Sequence, residues 1–368
     1  MWISRLYGKA TQIQSKVSST VYEIIKNAAA AAAKSSAFTR FVQLLENADG
    51  QHPGFLRVLT YHRIDEPTRR PWLDPALISA TPKEFGKQMA YLASHCQMLT
   101  ISDVLAALKS RNKKDLPPRA VLVTFDDGYR DFEEQAWPIL RRYKIPATLF
   151  VPTAYPDHPE QTFWWDDLYQ ALQNTNRKDN LDTPIGMFSL ANTVSRNQAY
   201  QRLKSYLKTL KHAEAISSGK ELSRQLEVQP ATNCIMSWNS LRKLSREGLT
   251  LGAHTKTHPL LNRISLEEAK QEVIGSFEDL QYEIGFALPI FAYPGGELSN
   301  EVVSMLEREG FSLAFTTRRG INHIAHMDPL RIQRINVGGR TSLPVLRAQL
   351  LSWTVHFNRM PGRLHASL

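Results

Sequence analysis

Cysteine is scarce in this sequence, and long apolar runs are absent. Cys96 and Cys234 are the two cysteines, far apart and outside any metal-ligand spacing. They exclude a disulfide scaffold and a thiolate metal site, and we expect both to be buried thiols. No run approaches the roughly 18 to 20 apolar residues that span a bilayer, and no signal peptide is recognisable at the N-terminus. We therefore expect a cytoplasmic protein or one peripheral to the inner membrane face.

Acidic residues are few at the C-terminal end. Residues 318–368 contain eight arginines, no lysine and one acid, Asp328, in a chain of formal net charge +10. A basic end can face nucleic acid, an anionic membrane surface or an anionic polymer. Because no nucleic-acid motif accompanies it, we expect no nucleic-acid partner, and a solvated surface is the simpler interpretation.

The two ends of the chain differ from its middle. Residues 1–50 carry strong helix formers and end at Gly50, which predicts a helical arm. The arm is expected to dock on the main domain, with a membrane surface or a partner as the alternative. Residues 341–368 are predicted to form a basic helix and tail. Peripheral membrane contact through either end is retained as a hypothesis.

From residue 54 onward, apolar segments rich in β-formers alternate with helical patterns. Capping boxes at 81–84, with proline at the first helical position, and at 265–268 mark two helix starts, and the second helix is predicted to stop near Gly285. A repeated strand-helix alternation predicts a parallel sheet, either doubly wound or closed into a barrel. The predicted strands are 55–62, 120–125, 147–151, 249–254, 288–293 and 311–317.

Reactive side chains fall at the carboxyl ends of four of these strands, namely His62, Asp126, Asp127, His254 and Tyr293. Barrel enzymes assemble their sites at this end of the strands. We therefore predict an α/β barrel domain over residues 51–340, with 368 residues and 42% hydrophobic side chains giving it a sizeable core.

The segment of about 156–233 interrupts the alternation with two helix-like stretches around a polar middle. It predicts a helical insertion on the side where substrates bind. Three tryptophans are candidates for a sugar-stacking surface: Trp164 and Trp165 in the insertion, and Trp238 just after it. Packing in the protein core is the simpler interpretation. Asp166 and Asp167 are either polymer contacts or helix-start acids.

Asp126 and Asp127 stand side by side where an apolar strand ends. Because neighbouring side chains on a strand point to opposite faces, the two aspartates share one site only if the chain turns at once, which Gly128 permits. A simple Asp-Gly turn is the alternative.

His254 and His258 are four residues apart, a spacing that lets two imidazoles reach one ion. With one carboxylate they would make a three-ligand metal site with open positions.

The segments TFDDG at 124–128 and HTKTH at 254–258 closely resemble the first two motifs of polysaccharide deacetylases of carbohydrate esterase family four. The resemblance implies an irregular (β/α) barrel of about seven parallel strands that hydrolyses N-acetyl groups on an amino-sugar polysaccharide, oligosaccharide or precursor. It also implies one divalent ion, expected to be Zn²⁺, with Co²⁺, Ni²⁺ and Mn²⁺ as alternatives. Similar segments lie at 59–64, 138–151, 291–296 and 331–337, so the resemblance covers most of residues 55 to about 340 outside the insertion.

By this resemblance, Asp127, His254 and His258 would hold the ion, and Asp126 would be the general base. The proposed substrate contacts are Tyr293, Gly295 and Trp165. A backbone N–H of Gly295 would help hold the oxyanion, with an ordinary Pro-Gly turn as the alternative.

The chain departs from the commonest family pattern in the third motif. Ala292 stands where many members have an arginine that orients the base. Arg331 or Arg334 are the candidates to replace it, with a surface or structural role as the alternative. The Tyr-Pro in this motif and an early Tyr-His resemble the subgroup that acts on extracellular β-linked N-acetylglucosamine polymers.

That subgroup pattern indicates His62 as the general acid, a role that suits histidine because its pKa lies near neutrality. His323 and His326, late in the chain, are the alternatives.

Two other classes of function are kept open. The chain could be a sugar-binding barrel that does no hydrolysis. The intact set of Asp126, Asp127, His254 and His258 argues against this function. It could also be a polyanion or membrane-surface adaptor. Salt-dependent binding by the region after Arg318, with no metal bound, would favour that function.

Overall fold

A computed structural model of the chain describes residues 35–48, 53–110 and 116–352. Most of the predicted N-terminal arm and the C-terminal tail from residue 353 lie outside these ranges. No helix among the described residues is long and apolar enough to cross a membrane. The α-helices are α1 Ser36–Ala48, α2 Pro82–His95, α3 Ile101–Lys109, α4 Trp137–Tyr143, α5 Trp164–Asn174, α6 Thr193–Leu207, α7 His212–Gln225, α8 Trp238–Arg246, α9 Leu266–Ile284, α10 Asn300–Arg308 and α11 Leu343–Gln349.

The strands form a closed barrel. Its ring of seven parallel strands has the order β1-β13-β11-β10-β9-β6-β5, and pairing of β5 with β1 closes it. The predicted barrel is therefore confirmed. The strands are β1 Phe55–Tyr61, β2 Arg63–Ile64, β3 Ile78–Ala80, β4 Gln97–Met98, β5 Ala120–Phe125, β6 Ala147–Val151, β7 Asn180–Leu181, β8 Phe188–Ser189, β9 Thr250–Ala253, β10 Ile290–Ala292, β11 Leu313–Arg319, β12 Asn322–His323 and β13 Ile332–Asn336.

Six of the seven barrel strands correspond to the predicted segments. The seventh strand, β13, was not predicted, because the alternating polar residues of Ile332–Asn336 give it no strong apolar signal. The predicted helix starts are confirmed: the Thr81 hydroxyl accepts from the Glu84 N–H at 3.3 Å, and Ser265 forms a complete capping box with Glu268. Gly285 ends α9 with a left-handed φ of 81°, the conformation that glycine adopts at least cost.

Side chains alternate between the inside of the barrel and the helices around it. Leu56 and Val58 of β1 belong to the inner core, whereas Leu59 and Tyr61 pack in the outer core beneath the helices. In β5 the inner residues are Ala120, Leu122 and Thr124. The hydroxyl of Thr124 contacts that of Thr60, the next inner residue of β1 after Val58. This period of two decides which residues at a strand end face the mouth of the barrel.

The segment between β6 and α8 forms the predicted helical insertion. Helices α5, α6 and α7 and the short antiparallel pair β7–β8 enclose an apolar core of their own, which includes Leu168, Leu172, Leu203 and Leu222. A buried hydrogen-bond chain joins this core to the barrel: Tyr200 and Lys204 donate to Asp74 at 2.7 and 2.8 Å.

Helix α1, the described part of the N-terminal arm, packs against α11 at the other end of the chain. Val42 is buried, and Glu46 accepts hydrogen bonds from Tyr91 at 2.5 Å and from Arg347. This arrangement agrees with an arm that docks on the domain. The membrane hypothesis rests mainly on residues 1–34 and 353–368, which lie outside the described part of the chain.

Candidate active site

Asp126 and Asp127 lie at the mouth of the barrel. Asp126 continues the inward-facing series of β5, two residues beyond Thr124. Asp127 has a φ of 76°, and Gly128 follows with a φ of 73°, so the chain turns immediately after the strand. This turn brings the second carboxylate to the same side as the first, which strand alternation alone would prevent.

His254 and His258 lie beside Asp127. His254 follows β9, and its Nδ1 lies 2.7 Å from the carbonyl oxygen of Ala292. Because a carbonyl only accepts, Nδ1 carries the proton and Nε2 presents a lone pair toward Asp127. The Nε2 atoms of His254 and His258 lie 3.5 and 3.4 Å from Asp127 Oδ1.

These three side chains fit a metal ion better than a direct hydrogen bond. An N–H···O bond has its mode near 2.9 to 3.0 Å, shorter than both separations. Ligand atoms about 2.0 to 2.2 Å from a tetrahedral ion lie roughly 3.3 to 3.6 Å apart. One ligand atom from each of the three residues lies within 4.8 Å of the others. The donor set, two imidazoles and one carboxylate, is also one that zinc accepts.

Asp126 is held by an arginine from the far side of the barrel. Arg334 of β13 donates from Nη1 to Oδ1 at 2.9 Å and from Nη2 to Oδ2 at 2.6 Å. Its Nε donates to the carbonyl oxygen of Thr316 at 2.7 Å, so the guanidinium is itself fixed. Both members of the pair are buried. A forked, two-bond pair of this kind orients the carboxylate as well as stabilising its charge.

Both carboxylates are ionised despite their burial. Burial alone would raise the pKa of Asp126, but Arg334 and the nearby His254 lower it below its usual value. The pKa of Asp127 is lowered further, because the imidazoles of His254 and His258, when they carry a second proton, stabilise its charge enough to outweigh the effect of burial. Burial lowers the pKa of His258, which favours the neutral, ligating form of the ring. The site is therefore charged as metal ligation and base chemistry require.

Two predicted residues lie elsewhere. Arg331 bonds Asp328 and donates to Asn300 Oδ1 at 3.1 Å on the surface, so the structure does not bring it to Asp126. Tyr293 is fully buried, and its hydroxyl donates to the carbonyl oxygen of Leu330 at 2.9 Å. The reason is the strand period: Tyr293 follows Phe291 in the outer series, toward the helices and away from the cavity.

His62 lines the cavity together with Asp126 and Asp127. It follows β1, one residue after the outward-facing Tyr61, so its side chain faces the mouth. His323 instead pairs with Phe55 at the opposite end of β1, and His326 stacks on His323. Seven strand residues separate the two ends by about 20 Å. Of the three candidate acids, the structure brings only His62 to the aspartates.

The cavity above these residues has a volume of about 160 Å³. Gly295 lines it in the turn Pro294–Gly296, where a φ of 61° and a Cβ contact of 2.9 Å with Leu260 would disfavour a side chain. Trp165 and Trp164 contribute to the wall, and the Trp165 ring lies edge-on to His258 at 5.0 Å. Trp238 packs in the outer core instead.

The acids of the insertion have separate places. Asp166 is buried and accepts from Tyr129 at 2.6 Å, beneath the cavity wall, and Asp167 accepts from the Thr162 hydroxyl. Neither lines the cavity.

The insertion supplies much of the remaining wall, and the sequence did not single out these residues. They include Lys204, Leu207 and Lys208 at the end of α6, and His212 and Ala215 at the start of α7. Only their position in a predicted insertion on the substrate side hinted at such a role.

The comparisons with known proteins agree with this geometry. The family model described as polysaccharide deacetylase matches residues 113–314, more than half of the chain. The chain belongs to the polysaccharide deacetylase family. Poly-beta-1,6-N-acetyl-D-glucosamine N-deacetylase of Escherichia coli K12 is 21% identical over 321 residues, which are 84% of this chain and 40% of that protein. The chain thus spans about 40% of the length of this relative.

A second relative and two solved structures are also similar. The protein of the same name from Staphylococcus aureus MSSA476 is 38% identical over 78 residues, 21% of this chain and 26% of the relative. The deacetylase PplD of Streptococcus pyogenes, solved with acetate, has a TM-score of 0.55 at 19% identity and covers 81% of this chain and 99% of its own. IcaB from Ammonifex degensii has a TM-score of 0.53 at 21% identity, covering 82% and 98%. These structures share the fold.

Proposed function

We propose that this protein is a metal-dependent hydrolase that removes N-acetyl groups from an amino-sugar polysaccharide or its precursor. The proposal rests on one observation: two carboxylates at the same barrel mouth have different partners. Asp127 converges with His254 and His258 on one point, while Asp126 is bound by Arg334 and left facing the same cavity. Family membership supports the same reaction class.

The residues divide the chemistry between them. Asp127, His254 and His258 hold a divalent ion, with Zn²⁺ expected from the donor set. When bound, such an ion polarises the acetamide carbonyl and lowers the pKa of a water molecule. Asp126 accepts the proton of the attacking water, and Arg334 keeps this carboxylate ionised and oriented for that transfer.

The leaving amine and the developing oxyanion need their own partners. His62, on the same cavity wall, gives its proton to the amine nitrogen as the carbon–nitrogen bond breaks, because an unprotonated amide nitrogen is a very poor leaving group. Gly295 lines the same cavity, and its backbone N–H would help hold the oxyanion. Trp165 offers an aromatic surface to a sugar ring beside His258.

The cavity and the relatives support a particular class of substrate. Relatives named poly-beta-1,6-N-acetyl-D-glucosamine N-deacetylase support a β-linked N-acetylglucosamine polymer. The open cavity with aromatic and apolar walls suits one acetamido sugar of such a chain.

The decisive experiment combines metal analysis with acetate release from a panel of N-acetylated oligosaccharides, using the full chain. We expect one divalent ion per chain and acetate release that a chelator abolishes. His258→Ala, which removes one of three ligands, should lose most of the metal and the activity. Full metal occupancy in this variant, or no acetate from any substrate, contradicts the proposal.

A further inference from the structure

The loop that carries both imidazoles has an unfavourable backbone. Within residues 254–258, Thr255 has a φ of 66° and His258 a φ of 63°. Left-handed residues other than glycine are uncommon, and a β-branched threonine there is an outlier. Such conformations are energetically unfavourable and persist only where surrounding contacts hold them. The spacing of the two ligands therefore depends on whatever holds this loop.

Glu272 of α9 holds the loop from one side. Its Oε2 accepts from the backbone N–H groups of Lys256 and Thr257, both at 2.8 Å, and its Oε1 accepts from the Thr257 hydroxyl at 2.6 Å. Because a carboxylate only accepts, the hydroxyl proton of Thr257 points at Glu272. The lone pairs of the Thr257 oxygen remain to accept another bond.

His212 provides that bond from the insertion. Its Nε2 lies 3.0 Å from Thr257 Oγ1, and since the hydroxyl proton is committed to Glu272, Nε2 must be the donor. Burial lowers the pKa of His212, so the ring is neutral near pH 7 with its proton on Nε2. His212 is the first residue of α7 and also lines the cavity.

We propose that His212 is a positioning residue that fastens the helical insertion to the metal-ligand loop. Through Thr257 and Glu272 it holds the segment between His254 and His258, and so couples the substrate-side wall of the cavity to the geometry of the ion site. This inference deepens the proposed function and rests on it for the identity of the bound ion. It assigns the insertion a part in metal binding as well as in enclosing the sugar.

The test measures metal affinity in the absence of substrate. Zn²⁺ is titrated against a competing chelator, and the visible spectrum of the Co²⁺ form reports ligand geometry. His212→Ala should weaken Zn²⁺ binding about tenfold, at the lower end of the range for groups that support metal ligands, and should change the Co²⁺ spectrum. His212→Gln should restore both, because its amide N–H₂ can donate to the Thr257 hydroxyl.

Two further variants separate coupling from simple loss of structure. His158→Ala removes an exposed histidine of the same insertion that bonds Glu160 outside the cavity, and should bind Zn²⁺ like the natural chain. Thr257→Val removes the acceptor, so combining it with His212→Ala should add little to the loss from Thr257→Val alone. If His212→Ala unfolds, His212→Phe, which keeps a ring but cannot donate, takes its place, because Thr257→Val alone also removes the bond to Glu272.

The inference fails if His212→Ala binds Zn²⁺ like the natural chain with an unchanged Co²⁺ spectrum, or if His212→Gln is as weak as His212→Ala. These outcomes leave the proposed function standing when the natural chain releases acetate. Conversely, weaker Zn²⁺ binding in His212→Ala beside a natural chain that releases no acetate would overturn the proposed function and support the coupling.

Discussion

Among the buried carboxylates of the described residues, two pairs behave in opposite ways. Asp126 and Asp127 lie at the barrel mouth, and Asp131 and Asp166 lie where the insertion meets the barrel; none is more than 4% exposed. The pKa values of the mouth pair are lowered. Burial raises the pKa of Asp131 to about 6 and that of Asp166 to about 7.

Since burial is nearly equal, the charged partners decide the difference. Asp126 receives both arms of one guanidinium, whereas Asp131 shares Arg63 with Asp65. The shortest bond to Asp166 comes from the neutral Tyr129 hydroxyl, at 2.6 Å. Both pairs lie near a buried arginine, but only Asp126 has one that no other carboxylate shares. The pKa of Asp126 is therefore lowered, as a charged base requires, while the deeper pair of Asp131 and Asp166 takes up protons at pH values closer to neutrality.

The largest expected effect comes from removing the base itself. Asp126→Asn is nearly the same shape but cannot take a proton, so turnover should fall by about a hundredfold to ten-thousandfold while the metal stays bound. Asp127→Asn is the matched change on the neighbouring residue, and it should lose metal first. Acetate release and metal content measured on both variants check this; the reverse pattern would exchange the two roles.

Next in size is the effect of the general acid. His62→Ala should keep metal and substrate binding but lose turnover, and the alkaline limb of the pH–rate profile should disappear because no group remains to be deprotonated there. His326→Ala, at the far end of the barrel, serves as the control. Near-normal turnover in His62→Ala with a collapse in His326→Ala would place the acid at the other end of the chain.

A smaller effect is expected from the arginine that keeps Asp126 charged. A neighbouring arginine lowers a carboxyl pKa by about one to three units. Arg334→Met should therefore raise the pKa of Asp126, and because the base works ionised, the acid limb of the kcat/KM profile should move to higher pH. Arg334→Lys should move it less, since it keeps the charge but not the fork.

Arg331→Gln is the control for this experiment, because Arg331 lies on the surface beside Asp328. Exposed pairs of this kind contribute about 0 to 1 kcal/mol, so its profile should follow that of the natural chain. A shift in Arg331→Gln equal to that in Arg334→Met would show that the profile reports something other than the pair with Asp126.

The sequence predicted what depends on local pattern. Strand periodicity and capping residues placed six barrel strands and the helices that begin at Pro82 and Leu266. The same periodicity, applied to β10, puts Tyr293 on the outward face with Phe291, where the structure has it.

Contacts that depend on barrel closure or on the insertion had no local signal. Arg334 reaches Asp126 only because β13 joins β1 and β11 in the ring, and β13 itself was not among the predicted strands. His212 meets Thr257 from 45 residues away, across a surface insertion whose docking no sequence pattern marks. The resemblance had named Arg334 beside Arg331 as a candidate partner of Asp126, but the fold was needed to choose between them and to find the pair of His212 and Thr257.

The smallest effect concerns stability and the deeper pair. The pKa of Asp166 is about 7 in the folded chain, above the roughly 3.9 of an unfolded aspartate, so the folded state binds more protons between these values. Stability should therefore fall as pH rises through this window, by about 2 to 3 kcal/mol between pH 5 and 7. Asp166→Asn cannot ionise and should lack this part of the fall, so its Tm should decline by several degrees less from pH 5 to pH 8. Asp131 titrates in the natural chain and in the variant alike, so its contribution cancels in the difference between them. Asp182→Asn, on the exposed surface, is the control.

Thermal unfolding with saturating metal at each pH gives the curves of Tm against pH for these proteins. If those of Asp166→Asn and the natural chain run parallel, Asp166 keeps its charge, and the contrast with the mouth pair is lost.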